Sequence, residues 1–286
     1  PPGTASVAAA SAAPAAPTPA PPPPAPAPPP PPATYDSGPG QPPSLYMLFF
    51  AEMWERFCFY GMRALLVLYL TKGFLGMTDE LSGNVYASYN ALVYLTPILG
   101  GIIADRLLGY RAAIILGGIV MAIGEFTLLV EQEFAVYAGM ALIVCGNGLF
   151  KPNISSLVGK LYADDDPRRD AGFTIFYMGI NIGALTSTLL CGAIGENYGY
   201  TWGFGLAGLG MLLGIFTFHM GRGRLGSHGA APQPELQSSR IGKVALGVLA
   251  LAPALRLQRC HDPPRHRCAT RRSWRGGPTI HPAVAP

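Results

Sequence analysis

Charge is what this sequence has least of. Only 13% of its 286 residues are Asp, Glu, Lys or Arg, against 50% hydrophobic residues; a soluble domain carries about 25% charged residues. That balance excludes a soluble enzyme as the starting assumption. Bases are missing altogether from residues 1–43, which hold 18 of the 29 prolines. The absent basic flanks argue against an SH3-type ligand, and the absent n-region and h-region argue against a signal peptide. This Pro/Ala-rich segment is expected to be a solvated, disordered tail of polyproline II character. Acids are almost missing from residues 256–286, which carry seven arginines and one aspartate, whereas residues 1–255 carry 13 bases and 15 acids. The net charge of +4 therefore belongs to a short tail and is no argument for a nucleic-acid-binding domain. Metal spacing is lacking too. Cys260, His261, His266 and Cys268 fit no common zinc pattern, so no metal and no cofactor are expected. Cys58, Cys145 and Cys191 sit in apolar stretches and read as small buried residues.

What the chain has in quantity is long apolar runs. About 20 apolar residues cross a bilayer, and six stretches qualify: Leu45–Leu70, Val85–Ala104, Ala112–Val130, Phe134–Gly159, Ala171–Gly195 and Tyr200–Phe218. A seventh, Val244–Leu255, is too short to span. Beyond Arg256 the apolar pattern stops, which reads as a frame-shifted or mispredicted tail, as the missing initial Met reads as a fragment. Loop basicity sets orientation. Arg106 and Arg111, then Lys160, Arg168 and Arg169, then Arg222, Arg224, Arg240 and Lys243 share one side; the opposite loops carry only Lys72. The basic loops and both ends of the six-span unit are expected in the cytoplasm of a multi-pass protein of the inner or plasma membrane.

Charges inside spans call for explanation, because each costs about 3 kcal/mol at the bilayer centre on insertion scales. The first span carries Glu52, Glu55, Arg56 and Arg63. At 100° per residue these fall, with Phe59 and Tyr60, within an arc of about 140°. The pattern suits a proton-accepting, substrate-facing wall, and it equally suits a charge-compensated structural helix with an i,i+4 pair between Glu52 and Arg56. Lys151, in the middle of the fourth span with Asn147 and Ser155 on its face, tips the balance. A lysine there must deprotonate or find a carboxylate, of which the first span supplies two, and a Lys–Glu pair in a polar cavity suits a proton switch through coupled titration. Pro152 frees a carbonyl in the same helix. Asn181, Tyr94 and the Thr96–Pro97 step add neutral donors and acceptors.

These residues resemble a known family. Ala51 to Arg63, AEMWERFCFYGMR, is similar to the ExxERFxYYG signature of proton-dependent oligopeptide transporters in the major facilitator superfamily. Gly100 to Arg111, GGIIADRLLGYR, resembles their loop between helices two and three. FKPN at Phe150–Asn153 resembles their helix-four lysine motif, and FYMGINIGAL at Phe176–Leu185 their helix-five signature. The resemblance covers about residues 44–255.

The resemblance implies an all-α membrane protein: the N-terminal six-helix bundle of such a transporter plus an incomplete seventh helix. The expected layout is a tail to residue 43, a bundle over 44–220, a cytoplasmic linker over 221–243, a truncated helix over 244–255, and the basic tail. It also implies proton-coupled symport of di- and tripeptides, with peptides, protons and the lipid bilayer as partners, and no enzymatic activity. By position, Glu52, Glu55, Arg56 and Lys151 match proton-coupling residues. Arg56, Tyr60, Arg63, Tyr94, Lys151 and Asn181 match substrate-binding residues, and Asp105, Arg106 and Arg111 a gating loop. Phe59 replaces a tyrosine of the signature. Glu125 is an added acid that reads as a helix-packing residue rather than a second proton site. The family has twelve or more spans in two bundles, so a non-transporting fragment is a competing expectation. A transporter of another small anion such as nitrate is a further one, disfavoured because both ExxER acids are kept.

Overall fold

The computed structural model describes residues 38–231 and 236–254. The Pro/Ala tail through residue 37 and the basic tail with Cys260, His261, His266 and Cys268 lie outside the described residues. Seven α-helices follow in order: α1 (Pro43–Lys72), α2 (Asp79–Ile103), α3 (Tyr110–Thr127), α4 (Glu133–Gly159), α5 (Arg169–Tyr198), α6 (Tyr200–Gly221) and α7 (Gln237–Ala254). A π turn, Ala104–Leu108, continues α2, and a 3-10 turn, Arg222–Leu225, continues α6. The described residues contain no strand.

Local chemistry sets several of these ends. The Thr78 hydroxyl accepts from the Leu81 amide at 3.3 Å and caps α2, with Asp79 and Glu80 in its first turn complementing the helix dipole. Gly109 and Gly199 take φ of 75° and 113°, which L-residues with a Cβ avoid. They let α3 and α6 start immediately after the preceding helical segments.

Among the described residues, five helices are long and apolar enough to cross a membrane: Asp79–Leu108, Tyr110–Thr127, Glu133–Gly159, Arg169–Tyr198 and Tyr200–Leu225. The protein is a multi-pass membrane protein. The sequence leads one to expect six, and α1 is the difference. It has the length, 30 residues, but its four charges between Glu52 and Arg63 remove it from the apolar class. Three of those charges turn inward, since Glu52, Glu55 and Arg56 are buried, and Arg63 is half-buried. The seventh helix also departs from expectation. It begins at Gln237, seven residues before the apolar run, and is 18 residues long. Hydropathy does not register its first turns because Ser238, Ser239 and Arg240 are polar.

α1 is the central helix, packing on α5, α6, α2 and α4. α3 packs extensively along α4, and glycine lets the two backbones approach closely. A Cβ on Gly117 would stand 2.7 Å from the Gly146 carbonyl oxygen, and one on Gly124 would stand 2.8 Å from that of Gly139. Close backbone approach through small residues is how helices associate where no hydrophobic force separates helix from lipid. Pro152 leaves the Gly148 carbonyl without its helical donor, and that oxygen abuts Gly100 of α2. The α2–α4 contact is also bonded: Thr96 donates to the Val144 carbonyl at 3.1 Å and Asn153 to the Gly100 carbonyl at 3.3 Å. By contrast α2 and α5 present broad uncovered faces, with Tyr94, Ile98 and Leu99 on one and Tyr177, Leu185 and Leu189 on the other, all more than half exposed.

Candidate functional site

The i,i+3,i+4 spacing of Glu52, Glu55 and Arg56 puts all three on the inner face of α1. Arg56 Nε lies 3.1 Å from Glu52 Oε1 and also donates to Glu55 Oε2. Asn147 Nδ2 of α4 donates to the other Glu55 oxygen at 3.1 Å. All four side chains are at most 2% exposed. Two carboxylates thus share one guanidinium, and when both are ionised the cluster carries one negative charge in excess. Its hydrogen bonding is incomplete as well: Glu52 Oε2, Arg56 Nη2 and Asn147 Oδ1 are buried without a partner. The Arg56 guanidinium also faces the Phe59 ring at 5.3 Å, a cation–π contact for which the ring needs no hydroxyl.

Lys151 departs from the sequence expectation. It forms no ion pair with Glu52 or Glu55; its Nζ lies 5.6 Å from the centre of the Tyr94 ring. The reason is register. Asn147, one turn earlier on α4, takes the place opposite Glu55, and Arg56 already occupies both carboxylates. Tyr94 and Lys151 therefore meet each other, at the edge of the exposed α2 face.

The remaining residues divide. Arg63 donates to the Tyr86 hydroxyl at 2.5 Å and lies 5.7 Å from the centre of that ring. Tyr60 packs edge-on against Phe59 at 5.3 Å. Asn181 is exposed and bonds only within its own helix, to the Tyr177 carbonyl at 3.1 Å. Tyr86 escaped the sequence reading, although it stands eight residues before Tyr94 and so on the same side of α2. Asn147 was visible only as a neighbour of Lys151, not as the partner of Glu55. Glu125 is fully buried; Cys58 Sγ lies 3.4 Å from Oε1, while Oε2 has no partner.

At the loop end, Asp105 accepts from the Tyr110 hydroxyl. Arg111 donates to the Gly226 carbonyl at 2.5 Å and the His228 carbonyl at 2.7 Å, while its amide donates to Gly229 at 3.2 Å. Arg106 is exposed and makes none of these bonds. A second fastening holds the segment before α1. Arg168 donates to the carbonyls of Gly38 and, at 2.7 Å, Gly40, and is itself held by Asp166 at 2.7 Å. Hydrogen bonds from Arg168 keep the Asp166 carboxyl below its usual range. Burial pushes the Tyr162 hydroxyl, which donates to Gln41 at 2.6 Å, up to about 12.

The POT family profile matches residues 111–256. The chain is 44% identical over 223 residues to the uncharacterized transporter YclF of Bacillus subtilis (strain 168), covering 76% of this chain and 45% of that one. It is 44% identical over 190 residues to a di-/tripeptide transporter of Lactococcus lactis subsp. lactis (strain IL1403), covering 64% and 38%. A crystal structure of a peptide transporter POT in complex with sulfate superposes with a TM-score of 0.67 at 40% identity, over 81% of this chain and 49% of that one. A POT family transporter in complex with 5-aminolevulinic acid gives 0.67 at 37% identity, over 77% and 47%. The chain spans less than half the length of each of these relatives. With matching signatures, helix order and superposition, it belongs to the POT family.

Proposed function

We propose that this chain supplies the N-terminal bundle of a proton-coupled importer of di- and tripeptides in the inner or plasma membrane, its basic loops and N-terminus in the cytoplasm. One observation carries the reading: two buried carboxylates share a single guanidinium. A buried excess negative charge is costly, and a proton on Glu52 or Glu55 removes it. Protonation also loosens the grip of the carboxylates on Arg56, which frees a cation to meet a peptide carboxylate. Proton binding and peptide binding are thereby linked through one side chain. Lys151 and Tyr94, at the margin of the exposed face, contribute a second cation and a hydroxyl, and the reading assigns Arg63, Tyr60 and Asn181 to substrate binding as well. In this reading α1 crosses the membrane as a sixth span, its charges tolerated because they face inward.

The uncovered faces of α2 and α5 are the surfaces on which a second bundle packs, with substrate held between the two halves. Of the three loop residues, Arg111 fastens the cytoplasmic side, through the Gly226 and His228 carbonyls. The test is uptake of a labelled dipeptide into proteoliposomes under an inward proton gradient, comparing the complete product of the locus with the 286-residue chain. Uptake by the complete product supports the reading, whether or not the chain alone transports. Uptake by neither contradicts it.

A further inference from the structure

A cavity of about 560 Å³ lies at the loop end of α3, between that helix, the turn after α6 and the start of α7. Arg111 and Arg222 form its polar rim, and Ile115, Leu116 and Ile119 of α3 with Ile241 of α7 form its apolar wall. Arg111, Ile115 and Ile119 follow one another at four-residue intervals, so a single stripe of α3 passes from cation to aliphatic side chains as it enters the apolar part of the helix. Among the described residues no acid lines the cavity and neither arginine forms an ion pair. Arg111 spends two of its guanidinium donors on neutral carbonyls, and no counter-charge meets it among the described residues. Arg222 is exposed. None of the lining comes from α2 or α5, so the site stands apart from the faces assigned above to a second bundle.

Two arginines without a counter-charge select an anion, and guanidinium groups are well suited to phosphate oxygens. The apolar wall continuing below them selects one that brings hydrocarbon with it. Basic pockets between transmembrane helices on the cytoplasmic side have this chemistry. We propose that the cavity binds an anionic phospholipid of the phosphatidylglycerol class, phosphate between Arg111 and Arg222 and acyl chain along Ile115 and Ile119. The leaflet rests on the orientation given under the proposed function; the site itself does not.

The test is native mass spectrometry of the purified 286-residue chain in detergent, titrated with phosphatidylglycerol or phosphatidylcholine, with and without inorganic phosphate. Phosphatidylglycerol is expected to be retained in preference. Arg222→Gln is expected to reduce that preference about fivefold, the effect of one basic residue near a membrane surface, and Arg222→Lys to restore most of it. Ile119→Gln is expected to weaken the lipid without altering any effect of phosphate. Circular dichroism checks that each variant keeps its helix content. Equal retention of the two lipids, a preference untouched by Arg222→Gln, or displacement of the lipid by millimolar phosphate with Ile119→Gln silent would each overturn the proposal. The last outcome identifies a site for free anions. Because the readout is lipid retention rather than uptake, failure here leaves the transport reading standing.

Discussion

Arg56 and Arg111 are both held by two acceptors, and the kind of acceptor separates the interior of this bundle from its loop end. Arg56, at 2% exposure, is held by Glu52 and Glu55, groups whose charge changes when a proton arrives. Arg111 is held by the carbonyls of Gly226 and His228, groups whose charge never changes. In the reading proposed above the first arrangement responds to protons, whereas the second fastens chain to chain. The difference teaches where function is expected: among the unevenly charged residues of α1 rather than in the equally well bonded loops.

The comparison breaks most visibly at Arg56. Arg56→Gln leaves two carboxylates buried without a cation, and loss of one partner from a buried pair costs about 3–5 kcal/mol. Thermal unfolding in detergent should show that loss. Glu52→Gln should cost far less, because Arg56 keeps Glu55 and the excess charge disappears. Equal losses from the two would mean that the cluster is only structural. The next largest effect is expected at the helix crossing that frames the cluster's partner Asn147. Gly146→Val brings side-chain atoms against the Gly117 carbonyl and the Met121 amide of α3, and overpacking of this kind costs about 1–3 kcal/mol.

At the loop end the effects should be smaller and local. Arg111→Gln removes side-chain bonds to two carbonyls, each worth about 1 kcal/mol, and hydrogen exchange should quicken around residues 226–229 while the centre of α1 is unchanged. Exchange that quickens in α1 instead would merge the two regions. The smallest change concerns Asp166. Its folded pKa lies below the ordinary value, so its contribution is present at neutral pH and is lost only as pH falls through that depressed value. Limited proteolysis near Gly38–Gly40 should therefore be indifferent to pH between 5 and 8, in wild type and in Asp166→Asn alike; a pH-dependent step in that window would point to another group.

The helices and the α1 charge face are legible in the sequence because both depend on spacing within one segment. Apolar runs locate α2 to α6, and the positions of Glu52, Glu55 and Arg56 fix which face they share. Partnerships between helices are not legible in the same way. Asn147 rather than Lys151 reaches Glu55, and Tyr86 meets Arg63, because the axial register of α4 and α2 against α1 decides them; glycines such as Gly117 and Gly146 mark how closely helices approach without saying at what height. The acceptors of Arg111 were hidden for a related reason. They are backbone carbonyls, which every residue has, presented by a linker more than a hundred residues away. The start of α7 at Gln237 escaped because polar residues open it.

The most direct test of the central claim is made on the complete product of the locus in proteoliposomes, comparing wild type with Glu52→Gln for dipeptide uptake driven by an inward proton gradient and for dipeptide exchange without one. If Glu52 carries the coupling proton, driven uptake falls to background in the variant while exchange persists. Driven uptake at the wild-type level in Glu52→Gln would contradict the account.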